Sequence, residues 1–320
     1  MSRSHPPSWT VARLAGADAA GERVRRAEGE VAAGDRLARA DDAYRIASVA
    51  KLFTATLALK LCGDGILELD RPLESLAGTD FSHASLRDCL AHRSGLPDYI
   101  ADPEFEGKLI EGPNHRWSGR ALLDWSLRRE SCAAETDGFA YSDSGYVAVG
   151  LEIEDATGIP LHEVFETELF EPLGINSTWL EPHAAAKRAA VHHAMGDLDL
   201  TTIDPSFDWA GGGLVSTLDD QLRFLRQLLG GEIIEPALLA EMLDMRPVDT
   251  GSPNLRYDRY GLGVGARETE HGTLVGHTGA WGSFLFKLEG HELCLAGSVN
   301  RPDPAARDAL IDNLLSEVLS

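Results

Sequence analysis

The sequence has no unbroken apolar run of about 18 or more residues, which excludes a membrane-spanning helix. Its first residues, Met1 to Pro7, carry no apolar stretch and no small-residue cleavage pattern, so no export signal is expected. Cysteine is scarce: Cys62, Cys89, Cys132 and Cys294 are scattered without a C-x-x-C pair. That argues against a disulfide framework and for a reduced, cytoplasmic setting. Positive charge is also in short supply. With 29 basic residues against 51 acidic ones the net charge is −22, which argues against nucleic acid or an anionic membrane as partner, since both would be repelled. Lysine accounts for little of even that positive charge: Lys51, Lys60, Lys108, Lys187 and Lys287 are all there are.

What is present describes a globular chain. Its 320 residues are 43% hydrophobic and 25% charged, enough for one large core or two small ones. Residues 9–45 read as short strands and turns punctuated by Gly16, Gly21, Gly29 and Gly34. From Asp70 to Asp244 the pattern is mainly helical. Capped helices are expected at Ser118–Arg129 and Ser144–Ala156, and an amphipathic one begins at Thr217-Leu218-Asp219-Asp220. A further helix, Leu161–Phe170, is expected to stop at Glu171-Pro172-Leu173-Gly174. After about Arg256 the period changes. Tyr260–Gly265, Thr273–His277, Ser283–Leu288 and Leu293–Val299 read as an antiparallel meander, with Glu289-Gly290-His291 as a hairpin turn. Asp303-Pro304 then caps a last helix. The expected fold is therefore α/β: an antiparallel sheet with helices from residues 1–69 and 246–320, and an inserted, mainly helical domain at 70–245. The active site is expected between the two.

One stretch organises the chemistry: Arg45-Ile46-Ala47-Ser48-Val49-Ala50-Lys51-Leu52-Phe53. Residues three apart share a helix face, so the Ser48 hydroxyl and the Lys51 amine should be neighbours. Ser48 would lie in a first turn, where unpaired N–H groups and the helix dipole favour developing negative charge. Serine alone is a poor nucleophile and needs a base beside it. Lysine serves as that base if burial lowers its pKa from about 10.4 towards neutrality, a change of roughly 4 kcal/mol. Val49, Leu52, Phe53, Leu57, Leu59 and Leu61 make the helix apolar nearly all round, hence buried. A core helix with a serine cap and a snorkelling lysine has the same local pattern, so partners elsewhere decide.

Two other stretches supply candidates. Tyr141-Ser142-Asp143-Ser144-Gly145-Tyr146 follows the polar Glu135-Thr136-Asp137-Gly138, and His277-Thr278-Gly279-Ala280-Trp281-Gly282 ends a strand in small residues that admit a substrate close to the backbone. No serine lies in G-x-S-x-G, against an α/β-hydrolase elbow. His162-Glu163-Val164-Phe165-Glu166 lacks the second histidine of H-E-x-x-H. His192-His193 has no acidic partner at helical spacing and reads as loop. No metal and no cofactor are expected.

Taken in order, S-x-x-K at Ser48 and Lys51, Y-x-D at Tyr141 and Asp143, and H-T-G at His277 resemble the serine β-lactamase and penicillin-binding superfamily. Within it the pattern is most similar to the class C branch, which includes D-aminopeptidases, DD-peptidases and family VIII esterases. Leu90-Ala91-His92-Arg93-Ser94-Gly95-Leu96-Pro97-Asp98, Phe170-Glu171-Pro172-Leu173-Gly174 and Gly211-Gly212-Gly213-Leu214-Val215-Ser216-Thr217 support it, and it spans about Tyr44 to Asn300. The resemblance implies Ser48 as acylated nucleophile, Lys51 as its activating amine, and N–H groups of Ser48 and Ala280 as oxyanion hole. Tyr141, with a pKa near 10 unless neighbouring cations perturb it, would shuttle the proton to the leaving group. His277 joins the catalytic set, and Asp143, Thr278 and Gly279 would meet substrate. Asp143 stands where the family has asparagine, and His277 where true β-lactamases have lysine. An ionised aspartate only accepts hydrogen bonds and favours an ammonium or hydroxyl; it could equally cap the helix that follows. The expected activity is hydrolysis of a small ester, amide or peptide, with esterase or D-amino-acid-type peptidase ahead of β-lactamase. The alternative is a weakly catalytic protein that keeps the pocket to bind a ligand or partner.

Overall fold

A computed structural model of the chain describes residues 13–19, 22–32, 34–129, 138–181, 189–195, 198–252 and 255–320. Met1 to Pro7, Cys132, Glu135 to Asp137 and Lys187, all named above, lie outside them. Among the described residues an antiparallel sheet of eight strands forms from both ends of the chain. The strands are β1 (Arg13–Ala19), β2 (Glu22–Glu28), β3 (Arg246–Pro247), β4 (Arg259–Tyr260), β5 (Gly265–Thr269), β6 (Gly272–Thr278), β7 (Ser283–Leu288) and β8 (Cys294–Val299). Their order is β2-β1-β8-β7-β6-β5-β4-β3, so the N-terminal hairpin joins the C-terminal meander through β1 and β8.

Side chains alternate across a strand, and here the alternation feeds two cores. Ala15, Ala17, Leu274, Phe284, Phe286 and Leu295 pack with Ile311, Leu314 and Leu315 of the C-terminal helix Pro304–Leu319. Leu14, Val275, Leu285 and Ala296 face the larger core, with Leu222 and Leu225 of the helix Leu218–Leu229. That helix, assigned from sequence to the helical part, lies on β1, β7 and β8.

Beneath the sheet runs α1 (Ala50–Gly63), preceded by a 3-10 turn at Ala47–Val49. Its residues are buried on every side, and Phe53 stacks on Phe224 with ring centroids 3.7 Å apart. Gly119–Ser126 packs on α2 (Asp143–Thr157), which also meets Leu86–Leu90 and Trp209–Gly212. Two expected boundaries move. The run Tyr260–Gly265 is not one strand: it turns back on itself so that Gly265 pairs with Tyr260, and within the turn Gly263 has φ +74° and donates its N–H to Leu90 O. The helix from Leu161 does not stop at Glu171. A π turn at Glu166–Phe170 shifts the hydrogen-bond register, so Pro172 falls in a new first turn where no N–H is needed, and left-handed Gly174 ends it.

Candidate active site

Ser48 occupies the 3-10 turn rather than α1 itself, and the i,i+3 relation survives: Lys51 Nζ lies 3.0 Å from Ser48 Oγ. The turn is held from outside. Ile46 N–H bonds Leu214 O at 3.0 Å, and Ser283 Oγ donates to Ile46 O at 2.6 Å. Beside it, buried Arg45 is paired with Glu181 at 2.6 Å and donates to Leu200 O. Gly279 brings the end of β6 against the same turn; a Cβ there would stand 2.5 Å from Ile46 O and 3.0 Å from Ala47 Cβ.

Lys51 is completely buried and has three polar neighbours. Besides Ser48 it meets Asp143 Oδ1 at 2.5 Å and Gly211 O at 3.0 Å. The Gly211 contact requires glycine, because a Cβ would stand 2.6 Å from Asp143 Oδ1. Asp143 does not cap α2. Ser142 is the N-cap, without a side-chain cap bond, and Asp143 is the first helical residue with its carboxylate turned to Lys51. Serine, lysine and aspartate thus form a continuous hydrogen-bonded chain, with Lys51 and Asp143 buried and Ser48 half-buried at its open end.

Tyr141 packs over the pair, its ring centroid 5.1 Å from Lys51 Nζ. Its hydroxyl is buried beside Ser48 without a well-formed hydrogen bond. Burial first, and then the Asp143 carboxylate, raise the phenol well above its ordinary pKa of 10. The expectation of a phenol near 10 is corrected: an anionic Tyr141 is disfavoured here, and the group is a neutral hydroxyl.

His277 is fully buried, with both nitrogens engaged. Nδ1 bonds Thr278 O at 2.6 Å and Nε2 bonds the Tyr260 hydroxyl at 2.9 Å. Burial, then the Lys51 charge, lowers its pKa to about 3, so it is neutral with Nδ1 as donor. It lines neither cavity at Ser48. Thr278 and Gly279 do line a cavity, and Thr278 is fixed by Tyr257 through both its N–H (2.8 Å) and its hydroxyl (3.0 Å).

Ser48 stands between two cavities that share Ile100, Asp143, Ala280 and Pro302. One, about 290 Å³, is lined by Asp98, Tyr141, Thr278, Gly279 and Arg307. The other, about 240 Å³, is apolar, with Leu109, Ile110, Leu200, Ile203, Phe207 and Trp281, and it contains Asp208. No backbone acceptor among the described residues engages the N–H of Ser48 or Ala280, both of which border the two cavities.

Asp98 and Asp208 went unassigned in the sequence. Burial, then repulsion by Asp143, raises Asp98 to about 7 and Asp208 to about 6. Asp208 Oδ2 accepts from the Trp281 indole at 3.1 Å. Strain collects here too. Among the described residues the non-glycine residues with positive φ are Ala47 (45°), His92 (55°) and Trp209 (22°), next to Ser48, Tyr141 and Gly211. His192 and His193 line neither cavity at Ser48, although His193 backs the wall of the apolar one through Trp281 and Leu200; His192 bonds Asp199 at 2.8 Å beside a short hairpin.

Residues 14–319 match the profile of the beta-lactamase family. The chain belongs to that family. Among solved beta-lactamase-fold structures it is similar to the D-amino acid amidase from Ochrobactrum anthropi SV3 complexed with D-phenylalanine, with TM-score 0.86, 25% identity and coverage of 97% of this chain and 95% of that one. It is also similar to a D-stereospecific amidohydrolase from Streptomyces sp., with TM-score 0.81, 26% identity and 93% of each chain covered. A penicillin-binding protein of Bacillus subtilis is 26% identical over 259 residues, 74% of this chain and 55% of that protein. The chain thus spans about half the length of that relative. The mixed fold with its large antiparallel sheet is the one expected from the sequence. No described helix is long and apolar enough to cross a membrane, and Cys62, Cys89 and Cys294 are free thiols.

Proposed function

We propose that the protein is a serine hydrolase that cleaves an amide of an amino acid with a free α-amine and an apolar side chain, through an acyl-enzyme on Ser48. The observation that carries this reading is the apolar cavity opening directly on Ser48, with the Asp208 carboxylate set in its wall. The cavity suits an apolar side chain, and a carboxylate in low-dielectric surroundings suits an ammonium. The D-amino acid amidase and the D-stereospecific amidohydrolase of the same fold support the amide and the D configuration. The second cavity would take the leaving group.

In this reading the reactive form carries Lys51 as a free amine, its proton given up to solvent; Ser48 Oγ then attacks the carbonyl carbon and its proton passes to that amine, 3.0 Å away. The ammonium so formed is met by Asp143 and Gly211 O, as the aspartate of a serine–histidine–aspartate triad meets its imidazolium. The amides of Ser48 and Ala280 hold the oxyanion, a role worth roughly 3–4 kcal/mol per donor. Tyr141, as a neutral phenol, hands its proton to the departing amine and regains one from the Lys51 ammonium, which returns to the free amine. A water then cleaves the ester on Ser48, and its proton returns to the serine oxygen. His277 holds the end of β6, and with it Thr278 and Ala280, in place.

N-acetylation of a D-phenylalanine amide substrate is expected to lower kcat/KM by about tenfold to 100-fold, the worth of one charge-assisted hydrogen bond. The pH dependence has a defined sign. Asp208 with a pKa of about 6 is ionised above that value and neutral below it. KM for the free-amine substrate should therefore rise as pH falls through about 6, while KM for the acetylated one stays level. Steady-state kinetics on both substrates from pH 5 to 8 check this, and equal handling of the two would reject amine recognition.

A further inference from the structure

The loop from Leu90 to Tyr99 grips the segment 140–146 at every step. Leu90 O accepts from the Tyr146 hydroxyl at 2.9 Å, and His92 O accepts from Ala140 N–H at 2.8 Å. Pro97 O accepts from the Ser144 hydroxyl at 2.5 Å, and Asp98 Oδ1 accepts from Asp143 N–H at 3.3 Å. At the centre is His92, 1% exposed and left-handed at φ 55°, a conformation held against its own preference. Its ring lies on the Tyr141 ring with centroids 4.1 Å apart and planes tilted by 33°. Its Nδ1 accepts from Ser142 N–H at 3.1 Å. That N–H belongs to the peptide plane leaving Tyr141, so one imidazole fixes both the ring of Tyr141 and the backbone that carries it on to Asp143.

From this geometry we infer that His92 is a positioning residue for Tyr141: it aims the phenol at Ser48 and takes no proton from substrate. The Nδ1 contact requires the tautomer with its proton on Nε2, and a charged imidazolium would break it. Burial, with the Lys51 charge next, holds the ring well below its ordinary pKa of 6.5, so the acceptor persists through the working pH range. This inference rests on the acyl-enzyme reading above, in which Tyr141 moves a proton.

A double-mutant cycle tests it. His92→Gly tolerates the left-handed backbone while removing both ring and acceptor; His92→Asn also tolerates it and restores an acceptor oxygen. With the amide of the amino acid, whose amine must be protonated to leave, His92→Gly should lower kcat by about 30- to 100-fold, at the lower edge of what one proton-transfer group contributes, and leave KM within about twofold. His92→Asn should recover at least about fivefold of that loss. In a Tyr141→Phe background, His92→Gly should cost less than about threefold more, because its partner is already gone. Multiplying losses, a Gly variant as active as wild type, or an Asn variant no better than Gly would each overturn the inference. Absence of turnover by the wild-type enzyme would instead overturn the hydrolase reading itself.

Discussion

Lys51→Arg is expected to lower kcat/KM for an activated ester by about 1,000-fold or more, near the upper part of what one general base contributes. Lys51 is wholly buried and touches Ser48, Asp143 and Gly211 through a single nitrogen. A guanidinium keeps its proton and presents donors only, so it satisfies Asp143 yet takes nothing from Ser48. It is also too large for the space beside Gly211, where even a Cβ would crowd Asp143. Stopped-flow and steady-state rates on the purified variant check this, with thermal unfolding as a control for misfolding. Turnover within about tenfold of wild type would remove Lys51 as the group that accepts the serine proton.

Asp143→Asn is expected to lower kcat by about 100-fold for amine-bearing and neutral substrates alike. Its carboxylate faces Lys51 at 2.5 Å and pairs with the ammonium, the form to which Lys51 returns when its amine takes the Ser48 proton. Asparagine keeps the shape and an acceptor oxygen but not the charge, so the loss should fall on the chemical step whatever the substrate carries. Tm should fall as well, since the lysine would be left as a buried cation without its anion. Comparing kcat and KM on free-amine and N-acetylated substrates separates this role from direct substrate recognition. A rise in KM confined to amine-bearing substrates, with kcat unchanged, would move Asp143 from the lysine to the ligand.

What could be read in advance follows how local each signal is. The Ser48–Lys51 pair lies three residues apart on one helical path, and a 3-10 turn in place of the first α turn leaves the two atoms 3.0 Å apart. The β6–β8 meander was legible because Leu274 and Val275, or Phe284 and Leu285, alternate between two cores. Asp98 and Asp208 were not legible as site residues. They reach the Ser48 cavities only when the chain closes; Asp98 ends a stretch that supports the resemblance but carried no role there, and nothing around Asp208 distinguishes it from a loop acid. Asp143 was singled out but its partner was not, since Lys51 is 92 positions away. The same limit hid the role of His92, whose left-handed backbone and stack on Tyr141 exist only in the folded chain. The strand expected at Tyr260–Gly265 failed for the opposite reason. Alternation continues through Gly261 and Gly263, but the chain turns there, with Gly263 left-handed and bonded to Leu90, and Gly265 pairs back on Tyr260.

The central claim is that Ser48 becomes acylated. The most direct test is intact-mass analysis of the full chain after exposure to a fluorophosphonate, followed by peptide mapping. One adduct per chain, located on Ser48 and absent from Ser48→Ala, is the predicted result. An adduct on another serine, or no adduct on a folded chain that still binds amino-acid amides, would contradict the account and leave a ligand-binding protein in place of an enzyme.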